Sequence, residues 1–496
     1  MHGDMKHLTI SKSKYLSGRQ CSKLLWYQYN AKDLIPPVDA GTQHKFDEGH
    51  RVGELAKLRF PAGIEVKAAV YDFDEIVRQS TELLKERKPL FEAGFVYNHT
   101  LARVDVLFPA ENGTWDIIEV KSSTQVKPEN YHDVALQRYC YEGTGIAINR
   151  CFLMYINTQY VRKGEIDVEQ LFSVSDITDK VLECTQEVEP RIQEMLEVIG
   201  LEDCPDIPIG PQCTDPYECG LIPVCWSFLP ENNVATFYRL GTERTFQLIG
   251  CGIRSISDMP PDYPLKPNQE IQKETDMTGE AHINRQTLGE FLRSLQFPQY
   301  HLDFETFSSP VPPYDNTRPY MQIPFQFSLH VWRSYETEPE HYSFLADGTG
   351  DPRPAFLARL RELLGDRGSI VVYNQSFEKG RLKELALLFP EYADWITALT
   401  PRFADLLVPF RNFDYYNPAQ HGSASLKAVL PALTGKTYEG LEIAEGGSAS
   451  REFMRIALGE VDDAERQVVR RNLEEYCRQD TQAMVDIVKE LHSLVV

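Results

Sequence analysis

The chain has no apolar run long enough to cross a membrane, and its first ten residues (MHGDMKHLTI) lack the apolar stretch of a secretory leader. A cytoplasmic protein with no membrane partner is therefore expected. Low-complexity tracts and internal repeats are also absent, so the 496 residues are expected to form two or three separate domains, not copies of one unit. Basic residues are outnumbered by acidic ones, 51 to 73. A net charge of −22 argues against a uniformly basic surface that coats nucleic acid, but it leaves room for a local basic groove. The tight Cys-x-x-Cys knuckle is missing, although ten cysteines are present; in a cytoplasmic chain these are expected to be core thiols or metal ligands, not disulfides.

Periodicity supplies the outline. Apolar spacing predicts helices over residues 12–29 and 45–58, then strands over 91–97, 101–108 and 115–121, with Asn112-Gly113 as a hairpin turn. A helix over 133–142 and a strand over 151–156 follow. Segment 203–226 is rich in Pro, Gly and Cys and reads as an irregular loop held by something other than a core. Residues 235–260 suit either a helix-hairpin-helix-like grip on a phosphate backbone or a packing linker between domains. The pattern restarts at Phe297, with strands over 299–304, 325–331 and 369–373. Helices are predicted near 354–364, 377–388, 423–433 and 464–494. The expected fold is thus α/β and multidomain, divided into 1–228, a helical linker over 229–295, and 296–496.

Two acidic constellations stand out, because carboxylates gathered at neutral pH repel one another unless a divalent cation joins them. In the first, Asp105 lies on one strand, and Glu119 and Lys121 lie two residues apart on one face of the next. Gln137 and Tyr141 follow, one helical turn apart. In the second, Asp303 and Glu305 share one side of an apolar strand. They are followed by Asn374-x-x-Phe377-Glu378, by Asp405 in a cap-like setting, and by Tyr476 and Asp480 on one face of the last helix. Among the cysteines, Cys213, Cys219 and Cys225 are spaced evenly with five residues between neighbours, in a stretch too rich in proline for a regular core.

The first constellation resembles the PD-(D/E)XK nucleases, in the RecB-type branch that adds a Gln-x-x-x-Tyr motif; the resemblance covers about residues 10–228. It implies a restriction-endonuclease-like fold in which Asp105, Glu119, Lys121, Gln137 and Tyr141 serve catalysis. Asp105 and Glu119 would hold Mg²⁺ or Mn²⁺ with a further ligand from FDEGHRVGELA, where Glu54 is preferred to His50. Cys21 in YLSGRQCSKLLWYQY, with Cys213, Cys219 and Cys225, resembles the iron–sulfur members of that branch. This implies a structural 4Fe–4S cluster in preference to zinc, with Cys204 as the rival fourth ligand. The second constellation is similar to the DnaQ-like exonucleases of the RNase H fold, of the DEDD type whose last motif carries Tyr. Asp303, Glu305, Glu378 and Asp480 would then hold metal, and Tyr476 would orient the attacking water. Glu378 departs from the pattern, which has Asp there, and moves the carboxylate by about one C–C bond.

Over nearly its whole length, including GSASLKAVLPAL, the chain resembles an uncharacterised bacterial family that joins a RecB-like domain to a domain of unknown function (2779). Together these resemblances imply a metal-dependent nuclease whose partner is nucleic acid, DNA more than RNA, cut at single-stranded ends. A ribonuclease is one alternative; a nucleic-acid-binding scaffold with one or both centres inactive is the other. Aromatic segments 314–320 and 411–416 suit either base stacking or loop packing.

Overall fold

The computed structural model describes residues 8–69, 72–443, 445–459 and 461–495. The chain groups into two units. One comprises the residues through Ser227 together with Ser309–Tyr320, and the other comprises Phe228–Ser308 and Met321 onward.

In the first unit the strands are β1 (Ile10–Ser11), β2 (Ile64–Glu65), β3 (Leu90–Phe91), β4 (Gly94–Tyr97), β5 (Thr100–Arg103), β6 (Val106–Pro109), β7 (Trp115–Lys121), β8 (Ile148–Ile156) and β9 (Phe172–Asp176). They form a three-stranded sheet, β1-β5-β4, and a six-stranded sheet, β2-β3-β6-β7-β8-β9. β6 and β7 pair antiparallel. Asn112 (φ 54°) and Gly113 (φ 77°) turn the chain between them, and left-handed values at both positions are what Asn-Gly supplies at low cost. β7 then pairs parallel with β8, which requires a crossover, provided by the Pro128–Gly143 helix.

Two predicted strands each prove to be two. The stretch 91–97 divides at Glu92, whose φ of 56° swings the chain from β3 in one sheet to β4 in the other. The stretch 101–108 divides at Val104-Asp105 for the same exchange in reverse. Asp105 therefore stands at a corner and not inside a strand. The predicted helix 12–29 is also broken, into Lys12–Gln20 and Ser22–Asn30, at an extended Cys21 (φ −159°, ψ 122°). Both backbone groups of Cys21 stay paired across the break: its N–H donates to Ser17 O, and its carbonyl accepts from Leu25 N. The next helix starts earlier than predicted, at Ala40, because Asp39 accepts from the Gly41 and Thr42 N–H groups and caps it.

Segment 309–320 is a strap in this unit. Arg162 Nη1 donates to the carbonyls of Pro312 (3.0 Å) and Pro313 (2.7 Å). Val311 is buried beside Val52 and Ala56, and the Tyr320 hydroxyl donates to Ser122 O.

In the second unit the strands are β10 (His282–Ile283), β11 (Gln299–Phe307), β12 (Ile323–Trp332), β13 (Glu340–Leu345), β14 (Ile370–Val372), β15 (Phe403–Asp405) and β16 (Tyr415–Tyr416). The main sheet runs β13-β12-β11-β14-β15. Its first three strands are antiparallel, and β11, β14 and β15 are parallel. Alternation along β11 sorts its side chains. Leu302 and Phe304 pack with Phe356, Leu360 and Leu382, whereas Asp303 and Glu305 take the other face, against which the Asp463–Val495 helix packs.

The expected linker 229–295 does not stand alone but groups with the second unit. Val234, Phe237, Leu248 and Ile256 make a small core of their own, and Leu288 and Leu292 join the larger core around Val371 and Val488. In 411–416 the aromatic side chains are buried, with Phe413 stacked on Tyr416 at 4.4 Å, so this segment packs and offers no ring to a base.

Candidate functional sites

The first site is built on β7. Glu119 is buried and completely engaged. Its Oε1 accepts from Lys121 Nζ and from Lys12 Nζ, both at 2.6 Å, and its Oε2 accepts from Gln137 Nε2 at 2.8 Å. Asp133 joins it, taking Lys121 Nζ at 2.7 Å and Gln137 Nε2 at 3.2 Å, with Lys12 Nζ 3.5 Å away. From the corner before β6, Asp105 Oδ2 accepts the Val120 N–H at 2.6 Å. Three carboxylates and two ammonium groups thus share one pocket of charge. Burial, and then the Glu119 charge, push Asp105 up from its ordinary value. Burial works against Glu119 too, but Lys12 and Lys121 outweigh it and hold that carboxyl well below the usual range. Gln137 Oε1 is buried without a partner among the described residues, an idle acceptor beside this oxygen-rich set.

Asp105, Glu119, Lys121 and Gln137 are therefore brought together; Tyr141 and Glu54 are not among the groups they contact. The Tyr141 hydroxyl donates to Ala93 O in the core, and its ring meets Phe95 edge-on at 4.9 Å. Four residues advance a helix by one turn and about 40° more, enough to carry Tyr141 past the site and into the sheet. Glu54 points to solvent and pairs with Lys57 at 2.6 Å, because Val52 and Ala56 occupy the buried face of its helix. His50 is exposed as well. Tyr141→Phe should lower stability by only about 0.5–1.5 kcal/mol, the net worth of one hydrogen bond, because the Ala93 carbonyl keeps the Val104 N–H as a donor. Gln137→Ala, which removes a donor shared by the buried Glu119 and Asp133 carboxylates, should cost more; denaturant unfolding of the two variants reads the difference.

The second site gathers Asp303 and Glu305 from β11, Glu378 from the first turn of the Gln375–Leu388 helix, and Tyr476, Cys477 and Asp480 from the last helix. Glu305, Glu378 and Asp480 are buried and Asp303 is half-buried. Burial, then the Asp480 charge, push Asp303 up; burial, then Asp303, do the same to Glu305 and to Glu378. Burial raises Asp480 as well, offset in part by hydrogen bonds with Tyr438 and Tyr476 and by the Lys427 charge. The Tyr438 hydroxyl donates to Asp480 Oδ1 at 2.6 Å, and Lys427 Nζ donates to the Tyr476 hydroxyl oxygen at 3.3 Å. Glu378 Oε2 has no hydrogen-bond partner among the described residues, although the side chain is 1 % exposed. Asp405 stands aside as a cap, accepting the N–H groups of Asn374 (2.9 Å) and Leu407 (3.1 Å).

The four cysteines Cys21, Cys213, Cys219 and Cys225 line one small cavity, walled otherwise by Ile207, Pro208, Ile209, Leu221 and Ile222 with Lys23 and Gln212. All four are free thiols. Cys204 bonds the Pro205 carbonyl at 3.7 Å and is not part of this lining. Four sulfur donors in a largely apolar wall are the donor type of iron–sulfur clusters and of zinc, although no three of these sulfurs lie within 4.8 Å of one another, wider than a single zinc ion takes without rearrangement.

Four participants carried no role in the sequence reading: Lys12, Asp133, Lys427 and Tyr438. Asp133 could have been found, since Asp133, Gln137 and Tyr141 repeat at a spacing of four on one helix. Lys427 lies within GSASLKAVLPAL, noted without a role. Lys12 meets Glu119 across 107 residues, and no local pattern announces it.

A family model described as a domain of unknown function (DUF2779) matches residues 300–425, a stretch that holds Asp303, Glu305 and Glu378. An uncharacterized protein of Mycoplasma pneumoniae, the MG366 homolog, is 28% identical over 221 residues, 39% of this chain and 32% of that protein. Uncharacterized protein MG366 of Mycoplasma genitalium is 28% identical over 220 residues, 40% of this chain and 33% of that one. The match thus spans about a third of the length of these curated relatives. The crystal structure of SSO0001 aligns with 45% of this chain and 88% of its own at 14% identity, with a TM-score of 0.21. The chain therefore carries a segment similar to a family without an assigned function and resembles proteins that are themselves uncharacterised.

Proposed function

We propose that the protein is a Mg²⁺- or Mn²⁺-dependent nuclease with a PD-(D/E)XK-like centre in the first unit and a DnaQ-like, RNase H-fold centre in the second. Single-stranded DNA ends are its substrate. The observation that carries this reading is the set of four carboxylates around Asp303, pushed toward protonation by burial and by one another, with an orphaned oxygen on Glu378. An all-oxygen set of this kind suits a hard divalent ion. The strand order β13-β12-β11-β14-β15, antiparallel then parallel, supports the RNase H-like resemblance read from the sequence, and Asp303 and Glu305 on its central strand suit the first acidic motif of that family.

When bound, the ion supplies charge neutralisation at the phosphate and an acidified water. The chain's own groups do the positioning. Tyr438 fixes Asp480, and Lys427 fixes the Tyr476 hydroxyl that would orient the water. In the first unit Gln137 holds the Glu119 and Asp133 carboxylates in register, while Lys12 and Lys121 bring positive charge to a phosphate in a chain that is otherwise acidic. The thiol-lined cavity would hold a 4Fe–4S cluster as a structural group.

The test offers purified protein, with Mg²⁺ or Mn²⁺, end-labelled single-stranded DNA, duplex DNA and RNA, beside Asp105→Asn, Asp303→Asn and the double variant. Single-stranded DNA should be shortened by wild type and untouched by the double variant. Cleavage of RNA alone would make the protein a ribonuclease. Binding without any cleavage would make it a scaffold, an outcome the first unit accommodates because Lys12 and Lys121 already balance much of its charge.

A further inference from the structure

We propose that the second centre is also a binding site for a thiophilic divalent cation, held by Cys477 together with Asp303 and Glu305. The site shares its carboxylates with the nuclease reading but needs no catalysis to exist. Cys477 is completely buried on the last helix, between Tyr476 and Asp480, and its thiol turns toward β11. It donates to Asp303 Oδ2 at 3.6 Å. The sulfur and one oxygen each from Asp303 and Glu305 all lie within 4.8 Å of one another. Zinc bonds of about 2.3 Å to sulfur and about 2.0–2.2 Å to oxygen place neighbouring ligand atoms under ~4 Å apart, so small side-chain shifts suffice to close this set on one ion.

A second observation points the same way. Glu378, 1 % exposed and acting on Asp303 through its charge, keeps Oε2 unpartnered among the described residues, so a further buried oxygen stands near the set, outside the three atoms that already lie within 4.8 Å of one another. A hard ion such as Mg²⁺ takes the carboxylates and ignores the thiol; a soft one gains a sulfur bond. The two classes of ion therefore compete for Asp303 and Glu305. Binding of the soft ion forms a metal–sulfur bond and releases the thiol proton to water, with no change of oxidation state.

Cadmium is the probe, titrated anaerobically into the full chain and followed by the ultraviolet thiolate-to-cadmium band. Wild type is compared with Cys477→Ser and Asp303→Asn, each checked for folding by circular dichroism. The cavity cysteines contribute equally to all three, so differences isolate Cys477. Wild type should bind one more cadmium equivalent than Cys477→Ser, with a correspondingly stronger band. Asp303→Asn should weaken that component at least tenfold, and excess Mg²⁺ should shift it to higher cadmium concentration. Superimposable titrations of folded wild type and Cys477→Ser would overturn the proposal. So would a wild-type titration with no component that Mg²⁺ shifts, a result that depends on neither variant. Because the band needs no substrate, a protein that cuts nothing could still pass, and one that cuts could still fail.

Discussion

Glu119→Gln should lower divalent-ion-dependent cleavage by the first centre by roughly 10²–10³-fold, the scale on which loss of one preorganised charged contact is felt. The measurement belongs in an Asp303→Asn background, so that the second centre adds nothing. The side chain keeps its shape but loses the charge that two lysines and Gln137 converge upon. Lys12 and Lys121 are each partly solvated, and both keep Asp133 nearby, so the loss in stability should be modest for a buried charge, roughly 1.5–3 kcal/mol. Cleavage within threefold of the parent would remove Glu119 from the chemistry and leave it as the keystone of an ion-pair network.

The double variant Cys213→Ser/Cys219→Ser should lose nearly all bound iron and open segment 203–226 to proteases. Few apolar side chains hold that segment: Leu24, Cys219 and Leu221 form a small buried cluster with Cys21, Cys225, Ile35 and Ile222 packed around, and Gln20 and Tyr217 add hydrogen bonds. Ligation from Cys21 to the three distant cysteines closes a loop of about 190 residues. A cross-link closing a loop that long is worth about 5 kcal/mol on a chain-entropy argument. Metal analysis and limited proteolysis read both effects. A colourless wild-type protein carrying one zinc per chain would replace the cluster with zinc while leaving the staple in place.

Much of both sites was legible in the sequence because strand alternation and helical spacing are local rules. Glu119 with Lys121, and Asp303 with Glu305, share a face because residues two apart on a strand must. What escaped was set by the backbone or by distance. Nothing local marks the left-handed turn at Glu92 that splits one predicted strand, or the extended Cys21 that splits a helix. Glu54 was misjudged for want of its neighbours: Val52 and Ala56 claim the inner face, which turns a residue two positions after Val52 outward. β13 was missed because it is an edge strand with no fully buried residue, and its sequence, EHYSFL, lacks a strong apolar signal. Glu378 shows the opposite case. The sequence flagged an extra methylene, and the longer arm still brings the carboxylate within electrostatic reach of Asp303.

The strap 309–320 has a consequence for genetic dissection. Its chain leaves β11 after Phe307, contributes Val311, the Pro312 and Pro313 carbonyls and Tyr320 to the first unit, and returns to begin β12. A stop codon after residue 228 would therefore not release an intact first unit, since Arg162 would lose the Pro312 and Pro313 carbonyls and Val52 and Ala56 a buried neighbour. Loss of cleavage in such a truncation would indict the missing twelve residues as readily as the missing second centre. Point substitutions in the full chain, not deletions, are the way to assign activity to either half.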